Sequence, residues 1–499
     1  MSAAINIIDK VPYFGSMFKV ESSELDPVNA WPSLIAMTSF VWFFIAAILG
    51  ISMPVLQFID LGAAWYYQNL TLHGAAMAFP FAFQLMVAMS LHRAGACLGK
   101  KADDVLVTLF YICMNVGALL LTLAVLNGFH VTYTVMFPLP VVGAGLGLWS
   151  MGTLILGFTG IALVLTSMIF IYPIKILRMS FFEKRHEDLQ LAVRTLKDPG
   201  MVGMIMGVLV LLVTGTPLMI TAGSLLLHLY GIFPASWIGW AADPVVFEFI
   251  FYIFAHNLME AMAIMVIGAV YATLPLCLAD GSRKLYSDKI ALLALWILLL
   301  TSVTSFFHHF YTMYPALPST FAYHGNIMSY ATAIGAALTI FTILATIWKS
   351  GLVASPAIFL ILGGFVMYIL DGAAAIVVSN VAWNFQLHGT LWVGGHAMVV
   401  LIAISSLWMG MLYYHFPLMT NRTIDDSTAR SSIKYLFISY IGLFYTFMAA
   451  GADGVPRRNA DWEGEWMIYA VLLTIFGCMM LYAFVLYALS LTRSKPLDF

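Results

Sequence analysis

Charge is what this sequence has least of. Asp, Glu, Lys and Arg together make up 9% of its 499 residues, whereas soluble domains carry roughly a quarter. Hydrophobic residues are 62% of the chain and the mean hydropathy is +0.94. A soluble globular enzyme is excluded, and no nucleic-acid partner is expected. Cysteine is scarce as well. Cys97, Cys113, Cys277 and Cys478 show no paired spacing for zinc, an iron–sulfur cluster or covalent haem attachment. Any copper or haem c electron donor must then lie on a separate subunit, cupredoxin-like or cytochrome c-like. A secretory signal pattern is also missing before the first apolar run, so that run is expected to be retained.

What the chain does have is apolar runs, each near the ~20 residues that carry a helix across ~30 Å of hydrocarbon. They predict an all-α integral membrane protein, a bundle of about twelve transmembrane helices surrounded by lipid. The expected spans are 31–53, 70–91, 103–127, 146–173, 202–230, 245–275, 289–313, 325–348, 355–379, 384–414, 433–452 and 465–492. Segment 1–30 and tail 493–499 flank a single membrane domain over 31–492. With the N-terminus in the cytoplasm, all 22 basic residues except Arg457 and Arg458 fall on cytoplasmic connections, a strong positive-inside bias. The Arg457–Arg458 pair on an otherwise cation-free outer face reads either as two surface charges or as the seat of a bound anion.

Histidine carries the functional signal, because an imidazole within a span is costly without a partner. Six of the twelve histidines are placed suggestively: His73 in "LTLHGAAMAF", His256 in "FAHNLMEAM", His308 and His309 in "SFFHHFYTM", and His388 and His396 in "WNFQLHGTLWVGGHAMVV". A lone histidine in a bundle is usually a satisfied structural donor. Counting ~1.5 Å per residue along spans of the expected direction, however, puts all six in one layer of the outer half of the membrane, beneath Arg457 and Arg458. Imidazole is a common ligand for iron and copper.

Residues i and i+2 on a helix point ~200° apart, so His396 and Met398 can each serve a different haem on opposite sides of span 10. His73 would complete a six-coordinate low-spin haem with Met398. His396 would hold a high-spin haem with an open face, opposite a second metal on His256, His308 and His309. Arg457 and Arg458 would meet outward-pointing propionates. His388, two turns above His396, would sit near those propionates or a structural divalent cation. Met398 also reads as a packing residue, with the low-spin haem ligated differently.

These motifs, together with "GVPRR" before the last span, resemble subunit I of the haem-copper oxidase superfamily over nearly the whole chain. The wording "VVFEFIFYIFAHN", "TSFFHHFY" and "WVGGHAM" is most similar to its B-family. The resemblance implies the same ligand set: His73 for the low-spin haem, His396 for the high-spin haem, and the trio for the second metal. Two departures stand out. Oxygen-reducing members generally carry a tyrosine four residues after the span-6 histidine, and here that position is Glu260. At i to i+4 Glu260 shares a face with His256, so its carboxylate is expected to reach the trio, ligate the second metal and deliver protons. A carboxylate beside the trio resembles the nitric oxide reductases of the superfamily and favours non-haem iron over copper. The other departure is Met398, where the family has a histidine, and thioether ligation would raise the haem potential.

The expectation is therefore a nitric oxide reductase with two b-type haems and one non-haem iron, sited in the plasma membrane with its haems toward the outer face. The alternative is an oxygen reductase without the active-site tyrosine. An NO dismutase-like member and a transporter with incidental histidines are further readings. Glu248 and Asp371, the other acids within spans, are candidates for a proton path or a cation site.

Overall fold

Proline following an Asp or Ser marks where several spans start. Asp198, Asp243 and Ser355 precede Pro199, Pro244 and Pro356, and each caps its helix by accepting a backbone N–H, from Gly200 (2.7 Å), Val246 (2.9 Å) and Ile358 (3.4 Å). Proline at the first helical position loses no hydrogen bond, and the cap satisfies one of the orphan donors. The computed structural model describes residues 4, 29–59, 61–98, 105–130, 149–182, 196–313 and 318–496. Nearly all of segment 1–30, residues 497–499 of the tail, the starts of expected spans 3 and 4, and Lys10, Lys19, Lys100, Lys101, Lys184, Arg185 and Arg194 lie outside the described residues.

Among those residues are twelve helices long and apolar enough to cross a membrane. They are α1 (Ala30–Val55), α2 (Ala63–Leu98), α3 (Val105–Leu126), α4 (Met151–Phe182), α5 (Pro199–Leu229), α6 (Pro244–Cys277), α7 (Asp288–Thr312), α8 (Ser319–Ser350), α9 (Pro356–Ser379), α10 (Leu391–Thr420), α11 (Asp426–Ala452) and α12 (Gly464–Thr492). The chain is a multi-pass integral membrane protein. Several helices outrun the expected spans. For example, α2 extends seven residues beyond 70–91 at each end, because hydropathy reports only the stretch that must sit in hydrocarbon, while caps and packing set the true ends. Exposed residues such as Leu119, Val213, Ile327 and Leu344 cover the outside, as expected of a lipid-facing surface.

The helices are not uniformly buried. In its most apolar stretch α10 is 83% buried and α2 78%, against 28% for α8 and α12. The two helices that carry His73, His396 and Met398 therefore form the centre of the bundle. An indole and two amides in that interior satisfy one another: Trp42 Nε1 donates to Asn115 Oδ1 (2.9 Å), Asn115 Nδ2 to Gln84 Oε1 (2.8 Å), and Gln84 Nε2 to the carbonyl of Pro80 (2.9 Å). This chain of hydrogen bonds ties α1, α2 and α3 together where lipid supplies no partners. Pro80 itself lies in a π-helical stretch, Met77–Phe83, a usual way to absorb a proline within a helix.

Two local departures from the expected helices bear on the site. First, α7 is α-helical only to Ser302, and Ser305–Met313 form a 3-10 helix. The hydroxyls of Thr301, Ser302, Thr304 and Ser305 bond back to carbonyls three or four residues earlier, competing with the backbone ladder. Second, the expected tenth span 384–414 is broken. A short helix Val381–Leu387 ends before His388, and α10 restarts at Leu391 behind Thr390, whose hydroxyl caps Trp392 N–H at 3.2 Å. His388 is therefore not two turns up a continuous helix from His396. The break exists because this backbone pairs elsewhere: Leu391 N donates to Val455 O (2.8 Å) and Arg457 N to Gly389 O (3.0 Å).

Candidate metal centre

Three imidazoles meet where α6 faces the 3-10 end of α7. His256 and His308 rings are 4.9 Å apart by centroid, His256 and His309 5.4 Å, and His308 and His309 4.5 Å. One ligand atom from each lies within 4.8 Å of the other two. Outer hydrogen bonds determine which nitrogen His256 and His308 present. His256 Nε2 donates to the carbonyl of Ser302 at 3.1 Å, leaving Nδ1 facing His309 Nε2 at 3.3 Å. His308 Nδ1 donates to Ser329 Oγ at 3.0 Å, while the Ser329 hydroxyl donates to Gly325 O at 2.6 Å. The Ser329 oxygen can then only accept, so His308 presents Nε2. His309 Nε2 is within hydrogen-bond reach of His256 Nδ1, nitrogens this close can equally turn their lone pairs to one shared cation, and second partners that lock the tautomers of His256 and His308 are the usual support of a metal site.

The 3-10 segment reaches this position because α8 allows it. Gly325 packs against the backbone of Phe307 and His308, and a Cβ there would lie 2.7 Å from His308 N. Tyr252, one turn before His256, stacks on His309 with centroids 4.4 Å apart and planes 17° off parallel. Glu260 Oε1 is 3.7 Å from His256 Nε2, the edge of the ring opposite the one that faces His309. The expected carboxylate is thus at the site but across the His256 ring from the space the three histidines share.

The trio opens onto a cavity of about 1160 Å³, also lined by His73, His388, His396, Met398, Glu260, Asp371, Arg457 and Arg458. Every residue predicted for the haem and metal sites meets in this one space. Glu248, by contrast, does not line it. The volume exceeds the ~300–1,000 Å³ of a typical small-ligand pocket. His73 is 7% exposed, and its Nδ1 donates to the α1 carbonyl of Ala46 at 2.7 Å. Gly50 leaves room for the ring: a Cβ there would sit 2.6 Å from His73 Cε1. His396 Nδ1 bonds Asp371 Oδ1 at 2.7 Å. Both histidines thereby present Nε2. Arg458 adopts a left-handed backbone conformation with φ 59°, a costly state for a non-glycine residue that clusters at ligand sites. His388, between the helices, is pushed down to about 4 by burial and by the adjacent Arg457 and Arg458, so it is neutral at pH 7.

A family model described as cytochrome c and quinol oxidase polypeptide I matches residues 33–479. The chain belongs to that family. Cytochrome c oxidase subunit 1 of Thermus thermophilus is 26% identical over 235 residues, 43% of this chain and 41% of the relative. Cytochrome c oxidase polypeptide 1 of Halobacterium salinarum is 26% identical over 238 residues, 47% and 39% of the two chains. The matched stretch thus spans about two fifths of these relatives' own length. A heme-copper terminal oxidase dimer solved by cryo-electron microscopy aligns with 95% of this chain and 85% of that one, with a TM-score of 0.80 at 17% identity. The fold is that of haem-copper oxidase subunit I, a family that binds haems and a metal centre, and the donors here fit those groups. Two imidazole Nε2 atoms from different helices, a three-histidine cluster and two guanidinium side chains share one largely apolar cavity.

Reading the sequence did not find the supports: Ala46 O and Gly50 behind His73, Ser329 and Gly325 behind His308, and Tyr252 on His309. Nothing in a one-dimensional pattern marks a small or hydroxyl residue as the neighbour of a ligand on another helix. Asp371 was visible as a buried acid, but not as the partner of His396.

Proposed function

We propose that this chain is an oxidoreductase, the catalytic subunit of a B-family-like, membrane-bound nitric oxide reductase. The observation that carries the reading is Glu260, a carboxylate 3.7 Å from a trio histidine at the position where oxygen reductases generally have tyrosine. His73 and Met398 hold a low-spin b-type haem, His396 a high-spin b-type haem, and His256, His308 and His309 a non-haem iron. When bound, these metals supply the redox chemistry, in which 2 NO, 2 electrons and 2 protons give N2O and H2O.

The chain's own part is to position and to deliver. Ser302, Ser329 and the stacked Tyr252 hold the trio's rings, while the apolar cavity wall admits a small uncharged gas. Glu260, in the wall beside His256, hands protons to the reacting oxygen. Arg457 and Arg458 hold the propionates, with a neutral His388 near them. A separate subunit, cupredoxin-like or cytochrome c-like, delivers electrons at the outer face of the plasma membrane, with the N-terminus in the cytoplasm.

The test is anaerobic NO consumption by the purified, haem-loaded complex with an artificial reductant, with N2O measured by gas chromatography. Two NO lost per N2O formed, with slow O2 uptake, is the expected result. Fast O2 uptake without N2O would overturn it. A second reading, an oxygen reductase with copper beside the high-spin haem, has its own support. Tyr252 lies flat on His309, so a phenol is present at the trio from a different position. Loss of O2 uptake in Tyr252→Phe would favour that reading.

A further inference from the structure

We propose that Asp371 is the positioning residue of His396, holding it as an anion-backed, electron-rich axial ligand and so lowering the reduction potential of the high-spin haem relative to a haem on a carbonyl-backed histidine. The inference rests on the proposed assignment of His396 to that haem.

Asp371 lies within α9 and is 2% exposed. A carboxylate deep in a span is costly, and such residues are kept where something compensates their charge. Among the described residues no lysine or arginine pairs with Asp371, and its ion-pair partner is His396, 2.7 Å away. That distance is typical of a charge-assisted hydrogen bond. A neutral imidazole alone offsets little of the charge. A cation at Nε2, reached through the ring, offsets it directly, and His396 lines the cavity. Carboxylate, imidazole and metal in line is a recognised support for ligating histidines, fixing the tautomer and raising the ligand's basicity.

The contrast within this chain sharpens the point. His73 makes a hydrogen bond of the same length, 2.7 Å, but to the neutral carbonyl of Ala46. Of two haem ligands locked as the same tautomer, only one is backed by a charge. A proton held between Asp371 and His396 gives that imidazole partial anionic character. It binds ferric iron more strongly than ferrous, because the extra positive charge of the ferric state is what the carboxylate stabilises. The hydrogen bond also accounts for Asp371 itself, which from sequence was open to a proton path or a cation site.

The decisive experiment is Asp371→Asn in the purified, haem-loaded complex, read by resonance Raman spectroscopy of the iron–histidine stretch in the ferrous high-spin haem and by spectroelectrochemistry of both haems. A lower stretching frequency and a higher midpoint potential for the high-spin haem, with the low-spin haem unmoved, are expected. An unchanged frequency and potential would overturn the role of Asp371. His396→Gly separates this from failure of the ligand assignment: if the high-spin signals survive that substitution, His396 is not the ligand and the inference falls with the assignment. If the Asn protein does not assemble, Asp371→Glu, which keeps the charge but displaces it, is to change the same frequency. No change there also overturns the proposal.

Discussion

Gly50→Ala asks whether His73 ligates the low-spin haem without touching a ligand, a charge or the metal cluster. An added Cβ would stand 2.6 Å from His73 Cε1 and 2.8 Å from Nδ1, and ordinary contact begins at 3.4 Å. The ring must withdraw by about 0.8 Å. It cannot do so and keep its 2.7 Å hydrogen bond to Ala46 O, since that carbonyl lies one turn back on the same helix. A buried donor left without its acceptor costs about 1–3 kcal/mol, and a coupling of that size weakens binding about 5- to 150-fold. Fold stability moves the other way, because alanine in a helix interior is better than glycine by about 1 kcal/mol. The expected protein is therefore well folded but depleted in one haem. The assay is haem stoichiometry by pyridine haemochrome, together with the reduced-minus-oxidised spectrum of the purified complex. A falling haem-to-protein ratio, with loss confined to the low-spin bands, is expected. A full low-spin spectrum at wild-type stoichiometry would refute the placement of His73 as that ligand.

Other outcomes follow from the same geometry. Ser329→Ala removes the acceptor that holds His308 with Nε2 presented, and non-haem metal content, measured by plasma emission spectrometry after dialysis against a weak chelator, should drop in line with the 10- to 100-fold affinity losses usual for such partners. Gly325→Ala places a Cβ 2.7 Å from backbone that cannot rotate away, so the same metal should be lost while haem content stays constant. Burial and the Arg457–Arg458 pair hold His388 down at about 4 against 6.5 for the free side chain. Between those values the unfolded chain binds more protons than the folded one. Stability should therefore rise with pH from about 4 to 6.5 and level off above. Thermal melts of His388→Gln should show a flatter rise over that window than the parent.

The sequence by itself determined the class and named the candidate ligands. Low charge and long apolar runs can be satisfied in water by no compact fold, and helices are the structure that closes its own hydrogen bonds in lipid, so about twelve spans were legible from composition. Depth along a helix is linear in residue number, so the common layer of His73, His256, His308, His309, His388 and His396 could also be counted off. Their convergence on one cavity agrees with that count.

Tertiary structure decided everything that depends on contact between elements distant in sequence. The break before α10 occurs because residues 389–391 pair with Val455–Arg457, and hydropathy does not record backbone pairing. The 3-10 turn that aims His308 and His309 arises from hydroxyls competing with the ladder and from the close approach of α8 at Gly325. Glu260 shares a helix face with His256, as its spacing requires, yet which edge of the imidazole it meets depends on a side-chain torsion held by Ser302 and Ser305. The tautomers of His73, His256, His308 and His396 are set by a carbonyl, hydroxyl or carboxylate on another helix. A sequence states which groups can bind a metal, but the packing of helices determines which nitrogen each one presents.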